Sequence, residues 1–141
     1  MPVELSKQIV LNRKSGEPFV TITYEESEGF IYVDWNGYLS VEMVQEGSEE
    51  LLKLFKSIGT ISKVLVNNQN ISGPWSKAND WYANDWNPRA ITAGLKFMGV
   101  IVSPNIFTQL SLQGFVEVSN GFTVRSFNAE DKAREWLKEA E

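Results

Sequence analysis

A chain of 141 residues with 43% apolar and 22% charged residues suits one globular domain, spanning 1–141. Its formal net charge of −5, with basic clusters no larger than Arg13-Lys14, argues against a nucleic-acid partner. Histidine and cysteine are both absent, which removes Ser-His-Asp and Cys-His nucleophiles and the usual zinc and iron sites, so no metal or cofactor is expected.

The N-terminus, MPVELSKQIV, lacks a basic-then-apolar signal pattern. The longest apolar runs, such as Phe97–Val102, fall far short of the roughly 20 residues that cross a bilayer. The expectation is a cytoplasmic protein without a membrane span.

Along the chain, Gln8–Leu11 is a brief apolar run before a turn at Lys14–Pro18. Phe19–Tyr24 and Phe30–Trp35 are rich in β-branched and aromatic residues, and the polar turn Glu26–Gly29 makes them a hairpin. Ser40 is placed to cap a helix from Val41 to Ile58, with Val44, Leu51, Phe55 and Ile58 on one stripe and Gly59 as its stop. Lys63–Val66 reads as a short buried strand.

Past the amides Asn67-Asn68-Gln69-Asn70, the turn Ser72-Gly73-Pro74 is expected to open a helix at Pro74. At about 100° per residue, Trp75, Tyr82 and Trp86 share an arc with Ala78, a core face, while Trp81 falls off it near Lys77 and Asp85. Pro88 should kink or end this helix, to the detriment of an Asp85–Arg89 pair four residues apart. Leu95–Val102 is another strand, and Ser103-Pro104 starts a helical piece over Asn105–Leu112. Residues 114–121 carry no clear pattern. Phe122–Phe127 is the last strand, and Asn128 is expected to cap a final helix buried through Ala133, Trp136, Leu137 and Ala140.

The resulting fold class is α/β: one mixed sheet of about five strands, an N-terminal hairpin followed by alternating strands and helices, with the helices mainly on one face. Helices between the later strands imply parallel neighbours. If the other face is open, it presents Tyr32, Asp34, Thr21 and Thr23, a surface suited to a homodimer. Asp34, inside an apolar strand, is either a carboxylate with a raised pKa or the mark of a wet face.

From Phe19 to Leu137 the layout resembles the STAS domains (sulfate-transporter and anti-sigma-factor antagonist), especially the SpoIIAA-like proteins. The resemblance is carried by VNNQNISGPW, NDWNPRAITAGLKF and SFNAEDKAREWL. It implies a non-enzymatic regulatory module that contacts a protein, such as a kinase or another regulator, at the strand-to-helix junction. Mapped onto this chain, that contact and phosphorylation site is Ser72 with Gly73, Asn70, Trp75 and Trp81. Here Asn70 and Ile71 stand where the antagonists carry Asp and a hydroxyl residue, and Pro74 deletes one N–H donor. Ser72 is alternatively a simple helix cap. A different expectation follows from the density of aromatic residues and the similarity of STAS-like sheets to the CRAL-TRIO lipid-binding layout. It is a pocket for a small apolar or lipid-like ligand, lined by Trp75, Trp86, Phe97, Phe107 and Phe115.

Overall fold

The computed structural model describes residues 8–141, and the pattern MPVELSK lies outside them. Strands β1 (Gln8–Asn12), β2 (Pro18–Glu25) and β3 (Phe30–Gly37) lead into helix α1 (Val41–Ile58) and strand β4 (Lys63–Ile71). A helical run follows in pieces: a 3-10 turn at Ser76–Ala78, α2 (Asn79–Trp81), a π turn at Tyr82–Trp86, and α3 (Asn87–Thr92). Strand β5 (Phe97–Ile101), helix α4 (Ile106–Glu117), strand β6 (Thr123–Phe127) and helix α5 (Glu130–Glu139) complete the order.

The six strands lie in the sheet in chain order. β1, β2 and β3 pair antiparallel, and β3 through β6 pair parallel. The sixth strand arises because Gln8–Asn12 pairs along β2 instead of stopping as a brief run. Among the described strands no reversal of order occurs, so their carboxyl edge carries no topological switch point of the kind that gathers ligands in doubly wound sheets.

Strand alternation sends Val20, Ile22, Val33, Val64, Val66 and Val100 to one face, where α1, the 76–92 run and α4 cover them. Phe30, Leu65 and Ile101 go to the other face and pack under Ala133 and Leu137 of α5. That second face is therefore covered over β4, β5 and β6, while Thr21, Thr23 and Asp34 on β2 and β3 stay partly exposed. Tyr32 is half-buried beside α5, so the expectation of a wholly bare second face is corrected for its part of the sheet.

Local chemistry explains the element ends. Ser40 accepts from the Met43 N–H, and Gly59 takes a left-handed conformation (φ 74°) with its N–H on the Phe55 carbonyl. Gly47 is required by close approach, since a Cβ there would stand 2.6 Å from the Trp35 ring. Asn105 caps α4 by accepting from the Phe107 and Thr108 N–H groups. That helix continues to Glu117, past the expected end at Leu112. Gly114 lies within it, where a Cβ would stand 2.8 Å from the Asn79 amide, so this glycine serves packing and not termination. Ala129, not Asn128, precedes α5 and gives no side-chain cap; Glu130 and Asp131 instead face the positive helix end.

The aromatic run departs most from expectation. Its first turn is at Ser76, with Trp75 as an uncapped boundary residue, and not an α-helix begun at Pro74. Ahead of Pro88 the backbone widens so that the Asn87 N–H reaches the Tyr82 carbonyl five residues back. This π turn absorbs the clash a proline imposes on the preceding turn, and α3 then continues with Pro88 at its start. The Asp85–Arg89 pair survives, at 2.9 Å.

Candidate functional site

β4 holds the central difference from the sequence pattern. It runs on to Ile71 because its amides pair with β3: Asp34 opposite Asn67, Asn36 opposite Asn70, Gly37 opposite Ile71. The amides thus lie in a strand and not in a loop, and alternation sends neighbours to opposite faces.

On the helix-covered face is a cavity of about 50 Å3 open to the centre of a water molecule. Its walls include Trp35, Trp75, Tyr82, Trp86 and Phe115 with Asn68. Tyr82 is the hub of the aromatic wall, edge-on to Phe115 at 4.9 Å, Trp86 at 5.6 Å and Trp75 at 6.2 Å. The Tyr82 hydroxyl shares a 2.7 Å hydrogen bond with Ser48 Oγ, and Trp86 Nε1 donates to the Ser48 carbonyl at 2.8 Å. Burial pushes the Tyr82 phenol up to about 12, against the opposing Ser48 bond, so it stays neutral. Asn68 is only 3% exposed, and its side chain makes no hydrogen bond among the described residues. The indole N–H of Trp75 is likewise buried without an acceptor.

Of the five aromatic residues expected to line a pocket, Trp75, Trp86 and Phe115 do so. Phe97 does not: odd–even alternation along β5 turns it to the second face, against Trp136 of α5 at 5.9 Å. Phe107 does not either, because it stands on the outward side of α4 and is 58% exposed. Asn68, Ser48 and Tyr82 were missed as cavity residues. The signal for Asn68 was parity with Val64 and Val66, visible only once the strand is extended through the amides.

On the second face the polar groups are mostly matched. Asn67 donates to the Tyr32 hydroxyl at 2.9 Å and accepts from the Gln69 N–H at 2.9 Å, and Tyr32 donates to Glu130 at 3.1 Å. Burial raises the Tyr32 pKa, with the Asn67 bond opposing and Glu130 adding to the rise. Arg134 holds Glu130 at 2.8 Å, grips Glu25 with two bonds, and lies over the Phe30 and Tyr32 rings. Asp34 is the exception, with one carboxylate oxygen buried and unpartnered. Burial raises its pKa, the amides of Asn36 and Asn70 oppose the rise, and Glu130 adds to it.

Ser72 is exposed, and its N–H bonds the Gly37 carbonyl at 3.1 Å. No helix starts on it, so it is not a cap. Beside it, a Cβ on Gly73 would stand 3.9 Å from the ring of Tyr38, which is 63% exposed. On its other side α4 is latched to the junction. Thr108 donates to the Gly73 carbonyl at 2.9 Å, and the Trp75 N–H donates to Ser111 at 2.9 Å. The outward residues of that half of α4 are Ile106, Phe107 and Leu110, all exposed. Trp81, by contrast, is half-buried at the edge of the core, its ring 5.3 Å from that of Tyr82. Asn70 is exposed at the end of β4, on the strand pair that holds Asp34.

Among the described residues no group of three or more acidic side chains is arranged to hold a metal ion. No described helix is long and apolar enough to cross a membrane.

No protein-family profile and no curated protein matches the chain. A solved structure does: the 2.25 Å crystal structure of an uncharacterized protein of the DUF3478 family with a SpoIIAA-like fold, from Shewanella loihica PV-4. The two align over 97% of this chain and 98% of that one, with a TM-score of 0.55 and 15% sequence identity. The fold is SpoIIAA-like, in agreement with the layout read from the sequence.

Proposed function

We propose that this protein is a non-enzymatic contact module, STAS-like in role as in fold, in which the surface around Ser72 meets another protein such as a kinase or regulator. The observation that carries this reading is the company Ser72 keeps. Ser72 is exposed, and its neighbour Gly73 lies near exposed Tyr38. Helix α4, latched to Gly73 and Trp75 by Thr108 and Ser111, carries exposed Ile106, Phe107 and Leu110. Large apolar side chains grouped on a surface favour protein contact. Between Lys96 and Glu117 the sequence carries no charged residue, as suits the centre of an interface. Trp81 leaves the contact set, and Tyr38 and Phe107 enter it. With no helix starting at Ser72, a phosphate there would act through its own charge and not through a helix dipole.

The test is recovery of partners from host lysate by Ser72→Asp and Phe107→Ser variants, with Trp81→Ala as a comparison. Both surface variants should stay folded by circular dichroism and lose the same partner that wild type recovers. Unchanged recovery by both would overturn the reading.

A second reading is favoured by the cavity: binding of a small apolar ligand between the aromatic run and the sheet. At about 50 Å3 it is about a third of the roughly 150 Å3 that holds one benzene ring, so a ligand is smaller than a ring or parts the walls, and a lipid chain does not fit. Native mass spectrometry of protein purified from its own host checks this reading, which predicts a ligand-bound mass.

A further inference from the structure

We propose that Asn120, followed by Gly121, is a spontaneous modification site that loses its side-chain amide to water and becomes isoaspartate or aspartate. The same dipeptide at Asn36-Gly37 is held unreactive by the sheet.

The chemistry is local. The Gly121 backbone nitrogen gives up its proton to water and attacks the Asn120 side-chain carbon Cγ. The bond from Cγ to the amide nitrogen breaks, that nitrogen takes up a proton and leaves as ammonia, and a five-membered succinimide closes. Water then opens the ring at Cγ to give aspartate, or at the main-chain carbonyl to give isoaspartate, in which the chain runs through Cγ. The balance is one water consumed and one ammonia released. A following glycine has no Cβ to screen its nitrogen, and the rate of such an internal attack depends on how freely the two atoms meet.

Asn120 and Gly121 are exposed and lie between α4 and β6, outside both elements. The chain is tied on either side, by the Ser119 N–H on the Val116 carbonyl and the Thr123 N–H on the Lys96 carbonyl. Among the described residues neither the Asn120 side chain nor the Gly121 N–H makes a hydrogen bond. The fold also requires the glycine: Gly121 has φ 101°, and a Cβ there would stand 2.7 Å from Ile91 Cδ1. Packing thus keeps the unscreened nitrogen beside the free amide.

The other pair is clamped. Asn36 and Gly37 end β3, in register with Asn70 and Ile71 of β4. The Asn36 carbonyl accepts from the Arg13 guanidinium, and the Gly37 carbonyl accepts from the Ser72 N–H at 3.1 Å. The Gly37 nitrogen must turn out of the ladder to attack, so Asn36 reacts only from a locally opened state. At residue 120 the product adds a negative charge to a chain already at −5, and isoaspartate adds a main-chain carbon ahead of buried Phe122. Isoaspartate is the group that a protein-repair carboxyl methyltransferase accepts, which makes that class of enzyme the partner of this turn.

The experiment ages the full chain in warm, mildly alkaline buffer, folded or in urea, and follows tryptic peptides 15–53 and 97–125 by mass spectrometry. Fragment spectra locate each exchange of NH₂ for OH. In the folded chain Asn120 should convert at least tenfold faster than Asn36, and in urea the two rates should converge. An isoaspartyl methyltransferase should label peptide 97–125 of the aged folded chain, and Asn120→Ser, folded by circular dichroism, should lose that label. Equal rates in the folded chain, or no conversion at Asn120 while the unfolded chain reacts, would overturn the inference. A difference that persists in urea overturns it too, since its cause would then be the flanking residues and not the sheet.

Discussion

Asn67 and Asn68 are adjacent in one strand, carry the same side chain, and meet opposite fates. Asn67 turns toward α5 and both ends of its amide are engaged, by Tyr32 and by the Gln69 N–H. Asn68 turns toward the helical layer and finds an aromatic cavity with nothing to bond. The difference teaches that a buried amide is structural or available according to its face, and that the face is fixed by a period of two and not by composition. The same contrast runs through the two layers. The α5 side is held by a polar network through Arg134, Glu25, Glu130 and Tyr32, and the other side by rings around Tyr82.

The harshest way to break the contrast is to remove the aromatic side. Trp86 is 2% exposed and donates to the Ser48 carbonyl. Trp86→Ala should cost about 3–5 kcal/mol in urea denaturation and leave the Arg134 network untouched. A loss below about 1 kcal/mol would mean that the ring is not the support it is taken to be.

On the opposite face, Asp34 is the one carboxylate that the network leaves short of partners. Its pKa is raised in the folded state, chiefly by burial. Such a group stabilises the fold below its unfolded pKa, and that contribution is lost as pH rises through the folded value. At pH 7 the ionised Asp34 therefore works against folding. Asp34→Asn should raise Tm at pH 7, and the gain should shrink as pH falls toward about 4. A gain independent of pH would point to a cause other than ionisation.

How much of this was legible beforehand follows from which forces act locally. The helix α1 stripe, its Ser40 and Gly59 caps and the mixed sheet order could be read because periodicity and capping are local properties. The core placement of Ala78, Tyr82 and Trp86 also followed from helical spacing, even though the run is broken by a π turn. Asn67–Asn70 were read as a loop because amides disfavour strands on propensity; pairing with β3 overrode that preference. Phe97 and Phe107 were drawn toward a pocket by their size alone, whereas strand parity and helix face send them elsewhere. The packing of α5 beside Tyr32 is a tertiary fact with no local signature, and it covers part of the face expected to be bare.

The most direct test of the contrast is a pair of urea denaturation curves, Asn67→Leu and Asn68→Leu, measured against wild type in one buffer. Asn67→Leu should lose about 1–3 kcal/mol, since it strands its hydrogen-bond partners, while Asn68→Leu should match wild type or exceed it. Equal losses in the two variants, or a greater loss at residue 68, would contradict the assignment of one amide to the scaffold and the other to the cavity.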